Sequence, residues 1–260
     1  MLSSADLGPA RVASDSFHVR RLHWILAMLL FGSRELCYTF RGFGFQLRRE
    51  YRRRYAPTRS HALTDAKRVL FVRHGQGDHN VLLRGLQLVD PPLNAVGEAQ
   101  VRELNAQLRP SLSEVELVVS SPLTRALQTA TGGLDGVTAP FLVQPLLRER
   151  LGAPCDTGRT RSELLRDFPD LAAWEGMEEL DEVWWTTKAF ETDLPERIEA
   201  LEEWISQRPE KVIAVVGHGA LFTRMLGEHL PNCGYRWVHW PSLSHVRADE
   251  STPFEEAPRL

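Results

Sequence analysis

Residues 69–75 spell VLFVRHG, a run of four apolar side chains that ends in an arginine, a histidine and a glycine. Four consecutive apolar residues predict a short strand that is buried on both faces of a sheet. Similar apolar runs occur at residues 117–119, 141–143 and 212–216, and the last of these is the longest. The sequence therefore predicts four strands of one buried sheet.

Helical patterns separate these strands. Apolar residues recur at helical spacing after Gly97 and again after Pro195, and Pro209 ends the second pattern. The pair Ser121-Pro122 predicts the N-cap and the first residue of another helix, shortly after the second strand. Strands that alternate with helices predict an α/β domain with a mostly parallel central sheet.

The amino-acid composition limits the kinds of protein that this chain can be. The 260 residues are 43% hydrophobic and 25% charged, the ordinary mixture of a globular enzyme, and the formal net charge of -3 carries no nucleic-acid signature. Three scattered cysteines provide neither a disulfide framework nor a zinc spacing, which favours a reducing compartment. We therefore expect a cytoplasmic protein, with an organelle-targeting or membrane-associated N-terminal segment as the alternative.

The first 67 residues differ from the rest of the chain in charge. They carry 12 Lys and Arg against 5 Asp and Glu, whereas the whole chain is slightly acidic. An apolar run at residues 22–31 is too short to span a bilayer, which needs about 20 residues. Residues 1–67 are expected to be a basic extension, and docking, targeting and membrane anchoring all stay open. A catalytic domain at 68–245 and a tail at 246–260 would follow.

Basic side chains follow three of the predicted strands. Arg73 and His74 follow the first strand, Arg125 lies shortly after the second, and His218 follows the longest. Ligands of open α/β sheets bind beyond the carboxyl ends of the strands, so these side chains could share one crevice and bind a dianion such as phosphate. A helix starting at Pro122 would add backbone N–H donors. Each of these residues, taken alone, is more commonly structural or solvated. Basic residues after three separate strands, however, favour an anion site.

Four stretches of sequence carry a resemblance to a known family. They are VRHGQGDHN at residues 72–80, DPPLN at 90–94 with Gly97 and Gln100 after it, SSPLTRALQTA at 120–130, and GHG at 217–219. In this order they resemble the motifs of the histidine phosphatase superfamily, which includes the phosphoglycerate mutases. The resemblance covers about residues 68–238 and implies a three-layer α/β/α fold like that of phosphoglycerate mutase.

A further set of residues is similar to the phosphoglycerate-mutase-like proteins of plants and fungi. The set comprises LRERLG at residues 147–152, Cys155-Asp156, Arg159, Phe168-Pro169 and DEVWW at residues 181–185. The glutamine and glycine after the RHG triplet fit the same group. Those proteins are usually named by similarity, so this resemblance does not identify a substrate.

The resemblance implies a role for each matched residue. His74 would be the nucleophile, and Glu149 would be the acid that protonates the leaving alkoxide. Asp156 is the reserve candidate for the acid, because Glu149 could also be a surface residue. Arg159, with Arg161 nearby, could bind a second anionic group of the substrate or be solvated. The residues expected to hold phosphate oxygens, where charge develops in the transition state, are Arg73, Asn80, Arg125 and His218.

No metal, cofactor or nucleic-acid partner is expected. His74, Asp78, His79 and His218 could be written as a set of metal ligands, but the arginines beside them would repel a cation. The expected partner is a phosphorylated small molecule, and a phosphoprotein substrate stays open. The N-terminal segment is the part of the chain that could associate with a membrane.

The sequence favours a phosphohydrolase of the histidine acid phosphatase type, acting on a phosphomonoester through a phosphohistidine. The first alternative is a phosphoglycerate-type mutase, which must hold a second anionic group and exclude water. Residues 163–210 carry 15 Asp and Glu against 4 Lys and Arg, and Gly77 stands where the family's mutases carry a hydroxyl residue; both favour hydrolysis. The second alternative is an inactive phosphate-binding protein, and the complete set of matched residues counts against it.

Overall fold

A five-stranded sheet forms the centre of the computed structural model, which describes residues 67–185 and 194–240. The strands are β1 (Lys67–Arg73), β2 (Leu117–Ser120), β3 (Phe141–Val143), β4 (Val212–Gly217) and β5 (Tyr235–Trp240). They lie in the order β3-β2-β4-β1-β5, and all neighbouring pairs are parallel except β1 with β5. The mostly parallel α/β sheet predicted from the sequence is confirmed.

The first four strands are those that the apolar runs predicted. In β1, Val69 and Phe71 belong to one core cluster and Leu70 and Val72 to another, because successive side chains of a strand point to opposite faces. Strand β5 was not predicted, because its sequence YRWVHW has no continuous apolar run. It pairs antiparallel at the edge of the sheet, where a fully apolar sequence is not required.

Among the described residues, two helices cover each face of the sheet. The helices are α1 (Ala95–Leu108), α2 (Thr124–Gly133), α3 (Arg161–Asp167), α4 (Leu194–Gln207) and α5 (Gly219–Leu226). Helices α1 and α2 pack on the face that carries Leu70, while α4 and α5 pack on the opposite face. There Phe222 of α5 meets Phe71 edge-on, with ring centroids 5.3 Å apart. The three-layer α/β/α arrangement is therefore also confirmed.

An excursion of the chain, residues 144–185, follows β3. It contains α3 and three 3-10 turns, at Pro145–Leu147, Pro154–Asp156 and Pro169–Ala173. Its apolar side chains pack against Leu123 and Leu127 around the start of α2 and against Val143 at the end of β3. The excursion therefore folds back onto the part of the sheet where the predicted site residues lie.

The predicted start of α2 at Pro122 is wrong, because the helix begins at Thr124 with Leu123 as its N-cap. Ser121, which was expected to be the N-cap, accepts a hydrogen bond from the N–H of Leu123 at 3.3 Å. The N–H of Thr124 donates to the buried carboxylate of Asp90 at 2.8 Å. A residue from another loop thus caps the helix, and this amide is not free for a ligand.

The ends of the chain are not described. The predicted N-terminal extension, apart from Lys67, and the tail at 246–260 lie outside the described residues. Lys67 is the first residue of β1, and its ammonium donates to the backbone oxygens of Arg208 and Glu210. Within residues 67–185 and 194–240, no helix is long and apolar enough to cross a membrane.

Candidate active site

Three neighbouring strands end at the same edge of the sheet. Strand β4 lies between β1 and β2, and the residues that follow these three strands are His218, His74 and Ser121. Backbone hydrogen bonds continue past the strand ends, from His74 to the oxygen of Gly217 and from Ser121 to the oxygen of Val216, both at 3.0 Å. The rings of His74 and His218 lie 5.1 Å apart between centroids, so the structure brings the two histidines together.

His74 is held as a neutral imidazole with a defined tautomer. The residue is only 2% exposed, and its Nδ1 lies 2.7 Å from the oxygen of Gly75. Because a carbonyl oxygen can only accept, Nδ1 carries the hydrogen and Nε2 keeps its lone pair. Burial lowers the pKa of His74 well below its ordinary value; the charge of Arg125 adds to this, and the bond to Gly75 opposes it. The side chain therefore presents an unprotonated nitrogen at neutral pH, as a nucleophile requires.

His218 is also buried and neutral. Its Nε2 lies 2.8 Å from the hydroxyl oxygen of Ser121, and no described residue bonds its Nδ1. Burial lowers the pKa of His218 well below its ordinary value, and the charges of Arg125 and His74 lower it further. A neutral imidazole beside His74 can donate a hydrogen bond without competing for a proton.

Arg125 is fixed by the excursion that follows β3. The side chain is 1% exposed, and its Nη1 donates to the oxygen of Cys155 at 2.8 Å while Nη2 pairs with Asp156 at 3.3 Å. The other carboxylate oxygen of Asp156 accepts from the N–H groups of Gly152 and Ala153, both at 3.1 Å. Asp156, the reserve candidate for the acid, thus serves as the partner that orients Arg125.

Arg73 lies at the end of β1, and the hydrogen bonds of its guanidinium are made by Nη1. Its Nη1 donates to the oxygen of Leu230 at 2.8 Å and lies 3.0 Å from Nε2 of His229. Since a guanidinium only donates, His229 accepts through Nε2. Burial lowers the pKa of Arg73, the carboxylate of Glu149 opposes that shift, and the charge of Arg125 adds to it.

Several buried nitrogens of these residues have no hydrogen-bond partner in the described part of the chain. They are Nε of Arg73, Nε of Arg125, Nδ1 of His218 and Nδ1 of His79. A buried polar group without a partner costs free energy, and native proteins contain few of them. The residues that carry these nitrogens lie close together around His74. A bound anion with several oxygens would give the nitrogens hydrogen-bond partners.

His79 and Asn80 follow the RHG triplet, and the ring of His79 adjoins His74. The ring centroids of His79 and His74 are 5.5 Å apart, and burial, with Arg125 and Arg73, lowers the pKa of His79 to about 3. Gly77 makes room for this ring, since a Cβ there would lie 2.8 Å from Nδ1 of His79. The Asn80 Oδ1 accepts from the N–H of Gly77 at 3.0 Å, which leaves the Asn80 amide nitrogen to donate.

Glu149, predicted as the acid, lies at the N-terminus of α5. One carboxylate oxygen accepts from the N–H groups of Arg150 at 2.8 Å and Leu221 at 3.1 Å, and the other accepts from Ala220 at 2.9 Å. The positive end of the helix favours a carboxylate at this position. Because Glu149 acts on the pKa of Arg73, it belongs to the same electrostatic cluster.

Arg159, predicted to bind substrate, forms hydrogen bonds with side chains of the protein instead. Its Nε donates to Asp90 at 3.1 Å and its Nη2 to the hydroxyl of Thr124 at 2.7 Å, while Nη1 pairs with Asp167. The Asp90 carboxyl is buried at the start of α2; burial raises its pKa, and its bonds to Thr124 and its charged neighbours oppose the shift. Every nitrogen of Arg159 therefore has a protein partner, and these contacts give its predicted substrate role no support.

Sequence reasoning missed several residues that support the cluster. Ser121 and Thr129 flank Arg125 within the quoted 120–130 stretch, and the Thr129 hydroxyl accepts from the N–H of Gly75 at 3.0 Å. Their position in that motif was the signal that could have revealed them. Asn232 donates to the oxygen of His74 at 3.0 Å, and neither it nor His229 stands in a recognisable sequence pattern.

Comparisons with known proteins identify the family to which this chain is similar. A family model described as "Histidine phosphatase superfamily (branch 1)" matches residues 69–253. A Schizosaccharomyces pombe protein named "Probable phosphatase" is 33% identical over 160 residues, covering 59% of this chain and 74% of its own length. The Arabidopsis thaliana "Phosphoglycerate mutase-like protein 1" is 33% identical over 204 residues, covering 60% and 70%. A solved mycobacterial glucosyl-3-phosphoglycerate phosphatase has 22% identity and a TM-score of 0.44, covering 66% of this chain and 96% of its own.

Proposed function

Because this chain belongs to the histidine phosphatase superfamily and is a phosphatase, we propose that it hydrolyses phosphomonoesters through a phosphohistidine on His74. The observation that carries the proposal is the tautomer of His74, whose Nδ1 donates to Gly75 and whose Nε2 keeps its lone pair. A buried, neutral imidazole among two arginines and a second imidazole fits nucleophilic attack on a phosphate dianion.

The first step is transfer of the phosphoryl group to His74. The lone pair of Nε2 forms the new bond to phosphorus, and the bond from phosphorus to the ester oxygen breaks with its electron pair going to that oxygen. Charge spreads over the three equatorial oxygens in the transition state. Arg73, Arg125, His218 and Asn80 supply N–H donors for these oxygens. Removal of one such donor typically lowers turnover by about 10²–10³-fold.

The leaving oxygen of an alkyl ester needs a proton as its bond to phosphorus breaks. Glu149 is our candidate for the acid, since it lies near Arg73 and is only partly buried. Asp156 is less suited to the role because both of its carboxylate oxygens are engaged, one of them by Arg125. In the protonated form Glu149 gives up one of its accepted backbone bonds and donates to the ester oxygen.

The second step returns the enzyme to its starting state. Water attacks the phosphohistidine, the carboxylate left after the first step takes a proton from that water, and the bond from phosphorus to Nε2 breaks. Inorganic phosphate leaves, and His74 is again neutral with its hydrogen on Nδ1. The same carboxylate therefore acts first as acid and then as base.

Two observations favour hydrolysis over a mutase reaction. A mutase must hold a second anionic group of its substrate, and Arg159, the arginine predicted for that purpose, is paired with Asp90 and Asp167. In addition, the ring of His79 lies where a side chain at position 77 would have to go, so there is no room for a hydroxyl residue. We therefore propose a phosphorylated small molecule with a single phosphate group as the substrate.

Rapid acid or base quench of the protein mixed with ³²P-labelled substrate tests the phosphohistidine. We expect acid-labile, base-stable label that maps to His74, and no label or hydrolysis in His74→Ala. His239→Ala is the matched control, because His239 is an exposed histidine on β5. Full hydrolysis by a folded His74→Ala variant would overturn the proposal. A folded parent that binds vanadate but hydrolyses no ester would instead support the inactive phosphate-binding protein.

A further inference from the structure

A concentration of exposed apolar side chains lies directly after the RHG motif. Seven large hydrophobic residues are exposed in the described part of the chain, and five of them fall within residues 81–89. Their exposed fractions run from 37% to 87%, and they are Val81, Leu82, Leu83, Leu88 and Val89. Arg84 is the one charged side chain of the segment. Exposed apolar residues occur singly on ordinary surfaces, so five of them within nine positions single this segment out as a candidate binding surface.

This apolar segment, residues 81–89, contacts the residues that surround the proposed phosphate site. Leu82 donates its N–H to the oxygen of Asp78 at 2.9 Å, and the turn Leu83–Gln87 packs against Asp78–Asn80 and Pro154–Asp156. Gly85 permits the close approach, since a Cβ there would lie 2.4 Å from the oxygen of Asp78. The segment therefore borders both the nucleophile's motif and the turn that carries Arg125's carboxylate partner, Asp156.

Two arginines at this border are already paired with protein carboxylates. The carboxylate of Asp156 is paired with Arg125, and Arg159 is paired with Asp90 and Asp167. A substrate bound through its phosphate could place its other end against residues 81–89, where five large apolar side chains are exposed. Contact with such side chains removes apolar area of the substrate from water, which is favourable in proportion to that area.

We propose that residues 81–89 form a subsite for an apolar leaving group, so that the substrates are monoesters of phosphate with an alkyl or aryl chain. This inference rests on the proposed phosphatase activity at His74. Leu83 is the first residue to test, because it is the most exposed of the five at 87% and has the most area to bury.

A series of n-alkyl phosphates tests the subsite, because ethyl, butyl and hexyl phosphate differ in apolar length while their leaving alkoxides are almost equally basic. A fully buried methylene would lower KM by about fourfold, so partial burial should give about twofold per methylene and about 16-fold from ethyl to hexyl. In Leu83→Gln and Leu88→Gln the ethyl-to-hexyl ratio should fall to about fourfold. Leu83→Met should keep the parent ratio, and Val183→Gln, an exposed valine outside the segment, should do the same.

The outcomes separate this inference from the proposed function. His74-dependent hydrolysis with the same KM for all three esters would overturn the apolar subsite and leave the phosphatase intact. Preference for 3-phosphoglycerate over butyl phosphate would also overturn it, since the subsite would then favour a carboxylate over an alkyl chain. Flotation with phosphatidylcholine vesicles that Leu83→Gln abolishes, together with a flat KM series, would assign the surface to a membrane instead. No hydrolysis of any ester would overturn both proposals.

Discussion

Glu149→Gln distinguishes an acid from a helix cap, because the structure offers both roles for this residue. The carboxylate accepts three backbone hydrogen bonds, two of them from the first turn of α5. Helix α5 follows His218 directly, so a weakened cap could disturb the site without any loss of proton transfer. A glutamine keeps the length of the side chain but cannot donate an acidic proton.

The bonding pattern sets the size of the structural effect. The glutamine oxygen can keep the two bonds from Arg150 and Leu221, whereas its amide nitrogen would face the N–H of Ala220. One lost bond at a partly exposed site should lower the free energy of unfolding by about 1 kcal/mol. Loss of the acid is a larger effect: about 10²–10⁴-fold in kcat for an alkyl ester, and about tenfold or less for para-nitrophenyl phosphate, which leaves as a stable phenolate.

Steady-state kinetics with both esters, together with urea denaturation, provide the assay. Glu163→Gln is the matched control, because Glu163 also accepts a backbone N–H at a helix N-terminus, that of Thr160 before α3, and is not part of the site. The control should leave the ratio of the two activities unchanged. An equal loss on both esters in Glu149→Gln would refute the acid role, and Asp156 would become the leading candidate.

Three further predictions concern the rest of the site. Arg125→Lys should lower kcat by about 10²–10³-fold on any ester, because an ammonium cannot replace the planar fork; parental turnover in steady-state assays would contradict this. Gly77→Ala places a Cβ 2.8 Å from both Nδ1 of His79 and the backbone oxygen of Pro92 and should lower kcat/KM by about tenfold or more; parental kcat/KM would contradict this. Burial lowers the pKa of His74, His79 and His218 in the folded protein, so below about pH 6.5 only the unfolded chain takes up their protons and stability falls. Urea denaturation between pH 7.5 and pH 5.5 should show a loss of about 3 kcal/mol from His74 and His218, to which His79 adds up to about 1 kcal/mol, and His218→Gln should remove about a third of the total.

The sequence predicted the elements that depend on local pattern. Four strands appear where apolar runs occur, because a strand buried on both faces needs consecutive apolar residues. The start of α2 was misplaced, because a carboxylate from a distant loop decides where that helix begins. Strand β5 was missed because an edge strand can be built from half-buried aromatic and basic residues.

The sequence by itself predicted that His74, Arg125 and His218 could share one crevice, since each lies on or shortly after a strand end and the carboxyl ends of parallel strands share an edge. The tertiary structure alone decided how the remaining side chains pair. Glu149 accepts hydrogen bonds from the first turn of α5, and Arg159 pairs with Asp90. In each case the two partners lie about 70 positions apart in the chain. Local pattern reports backbone conformation and burial, whereas such pairings depend on how a long excursion packs against the sheet. That packing gave Arg159 protein partners and brought the turn Pro154–Asp156 against the turn Leu83–Gln87.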